Sequence, residues 1–151
     1  MNFLEKIQQN KINKMEKEFN SAGILRYFHF DHGCMAEGMT GYTIEEKNDA
    51  AEFTFQKYSM TDGHDDTKVF VLPLSVMQRV KQLLREERLY LWNGFNKSNS
   101  VIATGESFTL EAVFDKYRLK AYGMVMMPPV YKEKSEILVG FLDGLLEEYG
   151  E

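Results

Sequence analysis

From Ser107 to Asp115 the chain alternates, with Phe108, Leu110, Ala112 and Phe114 set against Ser107, Thr109, Glu111 and Asp115. A period of two puts the four apolar side chains on one face of a β-strand. After a break at Lys116 and Tyr117, a second run sets Leu119, Ala121, Gly123 and Val125 against Lys120, Tyr122 and Met124. The two runs read as an antiparallel hairpin with one apolar face. Such a face has to be covered, so the rest of the chain is read for further strands and for a covering layer.

Three more strands are expected ahead of it. In ILRYFHFDH, Ile24, Phe28 and Phe30 fall on one side and Leu25, Tyr27, His29 and Asp31 on the other. A glycine-punctuated turn, Gly33 to Gly38, leads to a weaker strand from Met39 to Lys47 carrying Tyr42 and Ile44. Turn residues Asn48 and Asp49 then precede a third strand, in which Ala51, Phe53 and Phe55 alternate with Glu52, Thr54 and Gln56. Consecutive strands joined by short turns form a meander. The stretch Ser59 to Thr67 has no periodicity and is expected to be a solvated loop, followed by a brief apolar run from Val69 to Leu74.

Helices are expected in three places. Phe3, Leu4, Ile7, Ile12, Met15 and Phe19 lie on one broad side of a helix that Gly23 would stop. Ser75 with Gln78 has the spacing of a capping box, and Val76, Val80, Leu83 and Leu84 then recur at helical period to about Arg88. After Pro128 and Pro129, Ile137, Leu138, Phe141, Leu142, Leu145, Leu146 and Tyr149 recur in the same way. Gly140 and Gly144 flank that last stripe, each costing about 1 kcal/mol against alanine, and close approach to a neighbouring backbone is the expected compensation.

At 151 residues one domain, 1–151, is expected, with an amphipathic helix over 1–22 and an α+β core over 24–149. The expected class is α+β, an antiparallel sheet made of a meander plus a hairpin, with about three helices packed mainly on one face. Eighteen Lys and Arg against twenty-three Asp and Glu give a net charge of −5 with no basic stripe, which argues against nucleic acid as a partner. No stretch approaches the roughly 18 apolar residues of a membrane span, nor is there the apolar run of a signal peptide. A lone cysteine, Cys34, forms no intrachain bridge. The chain is therefore expected to be soluble and cytoplasmic.

Leu89-Tyr90-Leu91-Trp92-Asn93-Gly94-Phe95, then GESFTL from Gly105 to Leu110, then Tyr122-Gly123 and Pro128, form a recognisable series. It resembles an uncharacterised group of small bacterial proteins in which a helix is followed by W-x-G-F, an S-F-x-L strand, a hairpin, and a Gly then Pro approach to the last helix. The resemblance covers roughly residues 70 to 149 and implies a fold without implying a chemistry. The chain departs from the group's pattern at Lys116-Tyr117 and at Met124, Val125 and Met126.

Few residues invite chemistry. His29, Asp31, His32 and Cys34 fall within six positions and could ligate a transition metal, with His64 as a distant addition, but a strand would send His29 and Asp31 to one face and His32 to the other. Cys34 beside a histidine base is a further arrangement, and neighbours in sequence are a poor substitute for catalytic geometry. The acidic run Asp62 to Asp66 lacks the alternating ligands of an EF-hand. Trp92 and Phe95 around Gly94 could wall a ligand, although core packing explains them as well. Tyr122, Met124 and Met126 form an adaptable stripe.

The leading expectation is a non-catalytic binding or protein-interaction domain using Trp92, Phe95, Tyr122, Met124 and Met126, with no cofactor. The alternative is a metal-dependent hydrolytic enzyme built on His29, Asp31, His32, Cys34 and His64. A homodimer through Phe3, Ile7, Met15 and Phe19 is also expected, because three apolar helix stripes exceed what one sheet needs.

Overall fold

A computed structural model describes residues 2–34, 37–59, 65–99 and 105–150. Helix α1 (Phe3–Asn20) precedes four consecutive strands, β1 (Leu25–Cys34), β2 (Gly38–Lys47), β3 (Ala50–Tyr58) and β4 (Asp65–Pro73). Helix α2 (Val76–Glu86), a 3-10 turn at Leu89–Trp92 and a short strand β5 (Asn96–Ser98) come next. The hairpin β6 (Ser107–Phe114) and β7 (Arg118–Met124) then leads to α3 (Tyr131–Tyr149).

Among the described residues these form one seven-stranded sheet, ordered β4-β3-β2-β1-β6-β7-β5. Every pairing is antiparallel except that of β5 with β7. The class is α+β. The sheet is larger than a meander plus a hairpin, because Asp65–Pro73, divided in the sequence reading between a loop and an apolar run, is a full edge strand paired along β3. Its outward face carries Asp65 and Thr67 at one end and exposed Val69 and Val71 at the other, so hydropathy alone gives no clean alternation there.

Period-two patterning decides which face is covered. Phe28 and Phe30 of β1, Tyr42 and Ile44 of β2, Phe53 of β3, Phe108, Leu110, Ala112 and Phe114 of β6, and Leu119 and Ala121 of β7 are all buried on one side. The register stacks them, with Phe30 opposite both Tyr42 and Leu110, and Ile44 opposite Phe53. Helices α2 and α3 cover this side. Their antiparallel arrangement is marked by ion pairs at both ends, Arg79–Glu148 at 3.2 Å and Lys134–Glu87 at 3.0 Å.

Three local expectations are corrected. A β-bulge between Leu25 and Tyr27 shifts the phase of β1, so that Leu25 is buried with Phe28 and Phe30 while Ile24 is exposed. Arg26, the extra residue, is held by Glu46 at 2.6 Å and Asp115 at 2.9 Å. Ser75 is itself helical in backbone (φ −58, ψ −19) and makes no side-chain cap, so the capping box does not form. Gly140 and Gly144 meet nothing within 4 Å at the position of a Cβ among the described residues, so the expected close backbone is not supplied by them.

Gly123 is a different case. A Cβ there would lie 2.5 Å from the Met126 carbonyl oxygen and 2.7 Å from the Phe108 ring, so the absence of a side chain lets β7 pass under that ring.

Helix α1 is split in its environment. Phe19 is fully buried, stacked on Tyr90 at 5.1 Å and edge-on to Phe114 at 5.5 Å. Phe3, Leu4 and Ile7 are 76%, 74% and 51% exposed.

Candidate functional site

The residues singled out as ligands are distributed over both faces of the sheet. His29 and Asp31 stand on the open face, where His29 Nε2 lies 2.7 Å from Asp31 Oδ2 and Nδ1 lies 2.8 Å from Thr43 Oγ1. Both ring nitrogens therefore have partners within the chain. The acid–imidazole–hydroxyl chain has the elements of a relay, yet β1 and β2 each have a strand on both sides. Their backbone N–H groups are committed to the ladders and so do not point to Thr43 as oxyanion donors. His32 lies on the opposite, helix-covered face, between Phe30 at 5.5 Å and Tyr42 at 6.3 Å. Cys34 ends the same strand. Among the described residues no three His, Cys, Asp or Glu side chains are grouped to hold a metal ion, and His64 lies outside those residues.

The W-x-G-F segment serves mainly to join elements. Trp92 is buried, 5.7 Å from Phe108 and 5.8 Å from Tyr131 between ring centroids, so it is a core residue and offers no free face as a stacking wall. Gly94 takes φ +87, a left-handed turn. Asn93 Oδ1 accepts the Lys120 N–H at 2.9 Å, and the Phe95 carbonyl accepts the Tyr122 N–H at 2.8 Å. Phe95 and Tyr122 flank a shallow groove of about 510 Å³ with Thr109 and Lys120. Met124 is half-buried and Met126 exposed, and neither lines that groove.

A larger cleft, about 830 Å³, opens where the end of β1, the start of β6 and the first turns of α3 meet. Met127, Pro128, Val130 and Val139 supply apolar walls, Glu106, Lys132 and Glu136 stand among its polar lining, and His32 and Tyr131 complete it. His32 Nε2 and the Tyr131 hydroxyl are both buried and without a hydrogen-bond partner among the described residues. A buried polar atom without a partner costs about 1–3 kcal/mol, so two in one cleft call for an explanation.

The electrostatics of these two groups agree. Burial pushes the His32 imidazolium below its ordinary pKa, against the opposing pull of Glu106, Asp31 and Asp143. Burial, followed by Glu106, pushes the Tyr131 phenol up. Ser135, whose hydroxyl donates to the Lys132 carbonyl at 3.0 Å, lies near enough to temper that rise without meeting the geometry of a hydrogen bond to the phenol. Both groups are neutral near pH 7. By contrast, the Tyr42 hydroxyl on the same face donates to Asp143 Oδ1 at 2.8 Å and is satisfied.

Sequence reasoning placed His32 in a ligand cluster and passed over Tyr131 altogether. The helical period begins in earnest only at Ile137, so Tyr131 read as part of the segment after the prolines. The one available signal was parity: His32 shares the side of Phe28 and Phe30 in a strand whose other side is polar.

No protein-family model matches the chain, and no curated protein matches it. No helix among the described residues is long and apolar enough to cross a membrane.

Proposed function

We propose that the chain is a non-catalytic, cytoplasmic protein-interaction domain, and that the partner reached through α1 is a second copy of itself. The observation that carries this reading is the environment of α1. One end is anchored by fully buried Phe19, while Phe3, Leu4 and Ile7 at the other are solvent-facing over a helix of 18 residues. An isolated apolar stripe of this kind gains stability only by burial against another surface. Phe19 drops out of the expected dimer contacts, because its own chain already buries it, and Met15 is partly buried against the same core.

Charge favours another copy as the occupant. Over residues 3–14, Lys6, Lys11 and Lys14 face one acid, Glu5, whereas the whole chain carries −5. The outer side of α3 offers exposed Ile137 between the acids Glu133, Glu136 and Glu147, beside the open positions of Gly140 and Gly144. A basic apolar helix laid along an acidic apolar one satisfies both stripes and sets opposite charges across the contact.

Light scattering after size exclusion tests the proposal. The expected result is a dimer in the micromolar range, converted to monomer by Ile7→Glu with an unchanged circular-dichroism spectrum, and weakened several-fold by Lys11→Glu. A monomer throughout that range sinks the reading. A dimer that survives Ile7→Glu removes α1 from the interface.

A further inference from the structure

The cleft beside α3 is separate from α1 itself, although Glu136 and Gly140 belong both to its lining and to the side of α3 assigned to the second copy. Its walls are apolar, its two unpartnered polar atoms belong to side chains that both donate and accept when neutral, and each atom is shielded from solvent. We propose that this cleft binds a small neutral amphiphile. The apolar body of the ligand lies against Met127, Pro128, Val130 and Val139, and an uncharged head that both donates and accepts hydrogen bonds reaches His32 Nε2 and the Tyr131 hydroxyl by displacing the side chains that shield them from solvent.

The choice of head group follows from what the two residues tolerate. The same burial disfavours the imidazolium of His32 and the phenolate of Tyr131, so these positions penalise charge of either sign. A ligand carboxylate would also face Glu106 and Glu136 with only Lys132 to offset them. A ligand ammonium would find those carboxylates favourable but would have to give up its hydration to reach the two buried atoms. A purely apolar ligand would leave both atoms unpaired. A carboxamide or hydroxyl head supplies what each lacks, which is how a site built on polar groups discriminates among ligands of one shape.

Four probes of nearly one size separate these cases: benzamide, benzylamine, benzoate and toluene, titrated at pH 7.5 into isotopically labelled protein and followed by NMR. Benzamide is expected to bind with a Kd in the millimolar range, shifting the His32 ring and the amides of residues 130–140, and at least five-fold tighter than the other three. Tyr131→Phe and His32→Phe are each expected to reduce that preference to within about two-fold of toluene. Equal binding of toluene and benzamide, or tighter binding of either ion, overturns the assignment of the head group. No shift at the cleft with any probe overturns the site itself. Unchanged benzamide binding in both variants does the same, and if a variant fails to fold, the wild-type ranking of the four probes alone decides. Because Ile7→Glu leaves the cleft untouched, the same titration on that variant separates failure of this site from failure of the α1 interface.

Discussion

Tyr42 and Tyr131 are both buried phenols on the helix-covered face, and of the two only Tyr42 has a partner among the described residues. Tyr42→Phe removes a hydrogen bond to a carboxylate and is expected to cost about 1–2 kcal/mol. Tyr131→Phe removes an unpaired buried hydroxyl and keeps the ring contacts with Trp92 and Phe108, so its stability is expected to equal or exceed that of the wild type. Urea denaturation of the two variants side by side checks the contrast, and an equal loss in both would mean that Tyr131 has a structural partner. His32 supplies a pH dependence. Burial depresses its folded pKa, despite Glu106, Asp31 and Asp143 pulling the other way, while the neighbouring Tyr42 and Tyr131 stay neutral. Its neutral form therefore contributes stability that is fully present above the unfolded value of about 6.5 and is lost as pH falls below it. Denaturation midpoints between pH 7.5 and 5 are expected to fall more steeply for wild type than for His32→Phe. Parallel slopes would show that His32 does not titrate differently on folding.

At the scale of elements, α1 shows why periodicity and burial are separate questions. Its apolar positions follow the helical repeat, yet only its C-terminal half reaches the core, where Met15 packs at the margin and Phe19 meets Tyr90, Phe114 and Tyr117. Phe19→Ala is expected to cost about 3–5 kcal/mol, the range for emptying a buried aromatic site, whereas Ile7→Ala should change the stability of the monomer by less than about 0.5 kcal/mol. Thermal unfolding at low protein concentration measures both, and a large loss at Ile7 would place that residue against the body of its own chain. Elements with strict alternation, β6 above all, were legible directly, as was the antiparallel hairpin. β4 was not, since its outward face mixes charge with valine and hides the period. The bulge at Arg26 was not legible either, because it depends on Glu46 of β2 and on Asp115 in the turn that follows β6.

For the molecule as a whole, the sheet has two unlike faces. One is closed by α2 and α3 over an aromatic core; the other is covered by no helix among the described residues and holds the satisfied His29–Asp31–Thr43 network. Its two edges also differ. Three-residue β5 covers one edge by parallel pairing with β7, and nine-residue β4 leaves the other unpaired with Val69 and Val71 exposed. Exposed apolar surface thus gathers on α1, on β4 and along the outer side of α3, the distribution expected of a chain that associates with other surfaces.

The sequence by itself determined the α+β class, the hairpin, the three helices and the buried parity of most strands, because side-chain alternation and helical repeat are local properties of the backbone. It also determined that His29 and His32 face opposite ways. Which groups among the described residues lack partners follows from packing alone. Whether His32 Nε2, the Tyr131 hydroxyl or the free end of α1 finds a neighbour depends on residues distant in the chain, and on where α3 crosses the sheet. Those positions are fixed by packing, for which local pattern carries no record.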